Sequence, residues 1–257
     1  MKHPRKRFTE ESPVPAGLVE KVGIGIPLSD LNKVKVPKGY GPLLRVDDGK
    51  GRNVLVKGFI YQISPKRKVA IPEPDLTLIY FNTAYLNWKY MRDHKASLLD
   101  ALAQDVVKES VIFSLFSWFG ASASCINNLW NALETSINKN FKENSVYKRH
   151  GKDDDLWTGE KIFFVPTKER LRYALPQIVG FDIRNEKIDP FDQIGHLNDL
   201  RDKFTHPKPR KGQSLHDYLY KEALNFPYER AFEAVKLFIN FYAQKPLIED
   251  CDCGKDF

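Results

Sequence analysis

The sequence predicts a mainly α-helical protein: a helical bundle with a small β-containing extension at its N-terminus and an insertion between bundle helices. Three observations carry this. Apolar residues recur at three-and-four spacing between residues 95 and 245, with a break at 143–188. Ahead of that region, residues 42–82 are rich in Val, Ile, Phe and Tyr and are broken by turn residues. At 257 residues, 42% hydrophobic and 28% charged, the chain has ordinary globular composition and enough length to bury a proper core.

The elements follow in order. Residues 1–40 are rich in Pro, Gly and Lys without a sustained period, which predicts an extended, partly disordered arm. Gly23 and Gly25 do not form a nucleotide loop, because Pro27 follows and no helix opens there. Residues 41–90 form the β-containing extension. Asn53 to Ile63 reads as a strand after the Asp47–Gly51 turn signal, and Leu76 to Phe81 as a second short apolar run. The basic knot Lys66-Arg67-Lys68 reads as a solvated turn. The helical body then occupies 91–245, starting between Asn82 and Ser97. Val111 to Phe119 is apolar nearly all round and is expected to be central. Gly120 marks a kink or a short connection before the cleanest helix, 122–141, whose stripe is Ile126, Leu129, Trp130, Leu133, Ile137 and Phe141.

Within the insertion, 142–155 reads as a polar loop, Lys161 to Val165 as a strand, and Thr167 to Leu175 as a short helix ended by Pro176. The next helix spans 190–206. Asp189 can cap it, Pro190 suits its first position, and Ile194, Leu197, Leu200 and Phe204 form its apolar stripe. Pro207 stops it. A short helix near Ser214–Leu224 and a last one at 228–243 complete the bundle, and 246–257 reads as a flexible tail.

Charge and cysteine content narrow the class. A net charge of +7 is compatible with nucleic acid but moderate for this size. Three cysteines do not make a disulfide framework, which points to a reducing compartment and a cytoplasmic location. Lys2, His3, Arg5, Lys6 and Arg7 make the start basic, but no apolar segment follows, so no signal peptide is expected. Residues 110–133 lack charge over a length that could span a bilayer. Asn127, Asn128 and Asn131 argue instead for two buried helical segments and no membrane. The acids Asp153-Asp154-Asp155 rarely converge as cation ligands on a loop, and Cys251 with Cys253 supplies too few for zinc. No HExxH, GxSxG or Walker loop is present, and no cofactor is implied.

The chemistry concentrates at Arg201-Asp202-Lys203-Phe204-Thr205-His206. Asp202 and His206 are four apart on one helix face, a spacing at which the carboxylate can fix the imidazole tautomer. Arg201 adds a permanent cation on a neighbouring edge. A cation beside a tunable acid/base suits phosphoryl transfer on RNA. Lys208, Arg210 and Lys211 follow, either as a solvated Pro-rich connector or as holders of flanking phosphates.

Arg201-Asp202, three residues and His206 resemble the Arg-polar-…-His signature of the HEPN superfamily. Those are all-α proteins that include many metal-independent endoribonucleases. Leu129-Trp130-Asn131-Ala132-Leu133-Glu134 is similar to an early helix of that family. The resemblance covers about residues 95–245 and implies a HEPN-like bundle, an RNA substrate and a homodimer with two motifs facing each other. It implies His206 as general base or acid, Arg201 as stabiliser of phosphoryl charge, Asp202 as orienter of His206, and Glu134 as a partner behind Arg201. Roles as a toxin with a cognate antitoxin, or in defence, occur in such proteins. The alternative is a non-catalytic HEPN-like module that binds nucleic acid, a nucleotide or a protein partner. There Arg201 and Asp202 form a structural ion pair and His206 only ends the helix. A third reading takes the motif as coincidence in a generic helical protein.

Overall fold

The computed structural model describes Pro4 and residues 43–47, 53–65, 67–149, 151, 155–186, 189–208, 216–243 and 246–251. The chain divides into two compact units, one of residues 7–76 and one of 77–257 together with 1–6. The expected arm at 1–40 lies outside the described residues, apart from Pro4.

The smaller unit holds an antiparallel three-stranded sheet in the order β1 (Leu43–Asp47), β2 (Asn53–Ser64), β3 (Arg67–Pro72). In register, Val46 pairs with Val54 in one ladder and Phe59 with Ile71 in the other. The β-branched and aromatic run of β2 makes it the central strand, pairing on both edges.

The larger unit is mainly helical. Its helices are α1 (Leu76–Leu102), α2 (Glu109–Asn138), a composite α3, α4 (Phe191–Thr205), α5 (Asp217–Asn225) and α6 (Tyr228–Tyr242). α3 opens with an α-turn at Thr167–Glu169, widens to a π-turn at Arg170–Ala174 and closes as Leu175–Val179. α4 packs on α2, α5 and α6, so it sits inside the bundle with one face open. Phe81, Trp88 and Phe232 hold α1 to α6 through ring pairs 5.4 and 5.9 Å apart. Such pairs add about 0.5–1.5 kcal/mol each beyond the area they bury.

Several expectations are corrected. Leu76 to Phe81 is helix, not strand. Leu78, Phe81, Tyr85, Trp88 and Met91 continue a single buried stripe through it, and Asn82 donates its side-chain N–H back to the Leu78 carbonyl (2.8 Å). α2 passes through Gly120 without a break. It is long and apolar enough to cross a bilayer by length and composition. Its second half is core, with Cys125, Ile126, Leu129, Trp130 and Leu133 buried. Its first half is not central as expected, since Phe113 is 61% and Phe116 59% exposed.

Within the insertion, Lys161 to Val165 is not a strand. It falls in a 3-10 turn, Gly159–Phe164, and ends in extended Val165. The expected polar loop at 142–155 instead holds a short strand, β4 (Val146–Lys148), which pairs with β5 (Leu156–Thr158) just after it. Pro176 does not end α3. The π-turn before it accommodates the ring and the missing N–H, and Gly180 ends the helix at φ +83°. The tail is tethered as far as Cys251. Asn240 accepts from the Leu247 and Ile248 N–H groups (2.9 and 2.8 Å), and Ile248 is buried.

Candidate functional site

The motif sits at the C-terminal end of α4. Asp189 accepts from the Phe191 N–H (2.8 Å), Pro190 precedes the first turn, and Ile194, Leu197 and Leu200 are buried. These fix the helix and leave its last turn at the surface. The His206 N–H donates to the Asp202 carbonyl (2.8 Å) and closes that turn, while His206 itself has left helical geometry at φ −130°, ψ 63°. Thr205 acts as a backbone partner, its hydroxyl donating to the Arg201 carbonyl (2.9 Å). Lys203 is held by Glu222 of α5 (2.6 Å).

Arg201 and Asp202 meet. Arg201 Nη1 donates to Asp202 Oδ1 (3.0 Å), and the arginine side chain is 32% exposed. Asp202 Oδ2 accepts from Asn198 Nδ2 (3.0 Å). His206 is exposed, and its ring has no partner among the described residues. The expected Asp202–His206 pair is therefore replaced by Asp202–Arg201 and Asp202–Asn198. The four-residue spacing brings side chains together only while both residues are helical, and His206 is not. An exposed ion pair between sequence neighbours is weak, so Arg201 keeps most of its donors for other acceptors.

Glu134 does not lie behind Arg201. Its Oε1 accepts from Arg170 Nη2 (2.6 Å) and from the Thr167 hydroxyl (2.9 Å). Arg170 Nη2 also donates to Thr167 (2.8 Å), and Nη1 donates to Asn138. The Arg170 side chain is 5% exposed, and its Nε is buried without a partner. This cluster ties the π-turn of α3 to the end of α2. The signal for it was present in the sequence: Glu134 and Asn138 are four apart on one face of α2, and face one arginine together.

Lys208 is exposed, and its carbonyl accepts from the Tyr218 hydroxyl (3.1 Å), which anchors the start of the basic loop to α5. Arg210 and Lys211 lie outside the described residues, as do Asp153 and Asp154. Asp155 is engaged by Trp157 Nε1 (2.7 Å) and Arg149 (3.6 Å). His196 opens onto a groove of about 500 Å³ lined also by Lys203, Glu222, Phe226 and Pro227. A second cavity, of about 440 Å³, lies between α2, α3 and α4, and Asn198 forms part of its wall.

The helix end thus presents a partly exposed guanidinium and an imidazole with no partner among the described residues, with Asp202, itself held by Asn198, bonded to the arginine. Burial pushes the Tyr228 hydroxyl and the Cys125 thiol well up, which removes both from acid/base or nucleophilic chemistry near neutral pH. Comparison with known proteins adds no relative: no family model, no curated protein and no solved structure matches this chain.

Proposed function

We propose that this chain is a metal-independent endoribonuclease of HEPN type that acts as a homodimer. The observation that carries the reading is the state of Arg201 and His206. One arginine with open donors and one partnerless imidazole share an exposed helix end. In the proposed reaction the substrate's 2′-OH attacks the adjacent phosphorus, and His206 takes its proton. The 2′-O–P bond forms as the P–5′-O bond breaks. Arg201 neutralises charge on the non-bridging oxygens, and His206 of the second copy protonates the departing 5′-oxygen. Lys208, and with it Arg210 and Lys211, holds neighbouring phosphates.

The test is cleavage of RNA in EDTA, with the ends identified. Wild type should leave cyclic phosphate ends and spare a substrate with 2′-deoxyribose at the cut site. Arg201→Ala and His206→Ala should each lose at least about 100-fold in rate. Uncut RNA with folded wild-type dimer defeats the reading.

A specific observation favours the second reading, a non-catalytic HEPN-like binding module: Asp202 holds Arg201 and Asn198, not His206. On that reading wild type binds RNA or another partner without cutting, and His206→Ala changes nothing.

A further inference from the structure

We infer that the cavity between α2, α3 and α4 receives the base of one unpaired RNA nucleotide next to the nucleotide held at Arg201. This deepens the RNA reading above and rests on it for the identity of the polymer. The cavity measures about 440 Å³, within the range of small-molecule sites. Its apolar walls combine three aromatic residues, Trp130, Tyr173 and Phe191, with the aliphatic Leu171 and Ile194. Trp130 and Phe191 are almost wholly buried, and Tyr173 is the half-buried ring of the three.

The charge at the rim gives the ligand's sign. Lys168 is offset by Asp199 (3.1 Å), and Glu169 by Arg149 (3.1 Å). Arg172 remains. Its guanidinium lies over the Phe191 ring at 5.4 Å and has no ion-pair partner among the described residues. An aromatic slot with one uncompensated, stacked guanidinium suits a base and its phosphate. A paired base could not enter, so the strand must be single there.

Two features join the cavity to the motif. Asn198, in its wall, donates to Asp202, which in turn holds Arg201. Gly195 also lines it, one turn before Asp199. A side chain added there would meet no atom within 4 Å at its Cβ. Glycine inside a helix costs about 1 kcal/mol against alanine, and here it leaves the slot open.

That glycine supplies the test. Binding of a fluorescein-labelled, mixed-sequence single-stranded RNA decamer is followed by anisotropy in EDTA, on a His206→Ala background that keeps the RNA whole. Gly195→Ala should bind like its parent, Gly195→Phe about tenfold more weakly, and bound RNA should quench tryptophan emission in the parent. A duplex decamer should not compete. Equal affinity for Gly195→Ala and Gly195→Phe, or no binding of single-stranded RNA, overturns the inference. The two proposals fail separately. RNA cut by wild type with Gly195→Phe unchanged in binding leaves the nuclease and removes the pocket. RNA bound in a Gly195→Phe-sensitive way but never cut leaves the pocket and removes the nuclease.

Discussion

Arg170 and Arg201 both touch a carboxylate, but in opposite settings. The Arg170 side chain is 5% exposed and is shared among Glu134, Asn138 and Thr167. Arg201 is 32% exposed and, among the described residues, has Asp202 as its one hydrogen-bonded side-chain acceptor. A cation enclosed by acceptors on two helices is a fastening, and removing it strands a part-buried carboxylate. A cation at a helix end with spare donors adds little to stability and is free to meet a ligand. Position in the bundle, not residue type, separates the structural arginine from the one proposed to act.

The comparison breaks first on stability. Arg170→Ala should lower the unfolding free energy by about 3 kcal/mol, because Glu134 and Asn138 lose their shared donor. Arg201→Ala should stay within about 0.5 kcal/mol of wild type. Urea denaturation with unchanged slope measures both. Similar losses in the two variants would erase the distinction.

A smaller effect sharpens the motif's internal roles. Asp202 touches Arg201 and Asn198 and not His206. Asp202→Asn should therefore slow RNA cleavage by less than about 10-fold, against at least about 100-fold for Arg201→Ala. A loss as large as that of His206→Ala would mean that Asp202 orients the imidazole after all.

The smallest effect concerns a third arginine pair, on the insertion. The side chain of Arg184 bonds Asp182 and holds its carboxyl below the ordinary value of 3.8. A lowered folded value means the contribution is present above that ordinary value and is lost as pH falls through the folded one. Asp182→Asn should thus differ most from wild type near neutral pH and converge on it below about pH 4. Urea midpoints across that range decide it, and a gap that widens in acid contradicts the assignment.

How much of this the sequence carried depended on whether the deciding force was local. The motif helix was legible because Asp189, the apolar stripe and Pro207 all act within one segment, and the observed Phe191–Thr205 lies within the expected 190–206. The last helix was legible for the same reason. Leu76 to Phe81 reads as strand because a six-residue run with five apolar side chains suits strand or helix equally, and only the stripe continuing to Met91 decides. The π-turn in α3 was hidden, since Pro176 reads as a stop unless the preceding turn widens. At the site, the residue types were legible and their pairings were not. Spacing matched Asp202 to His206, but a neighbour's guanidinium and Asn198 took the carboxylate first. Glu134 was placed near an arginine, but the arginine is Arg170, contributed by the insertion across tertiary space.

The measurement that bears most directly on this account reads folding and RNA cleavage in the same samples of wild type, Arg201→Ala and His206→Ala. Both variants should unfold at midpoints close to wild type, with cleavage in EDTA lost from both. Variants that stay folded and cut RNA at the wild-type rate would contradict it.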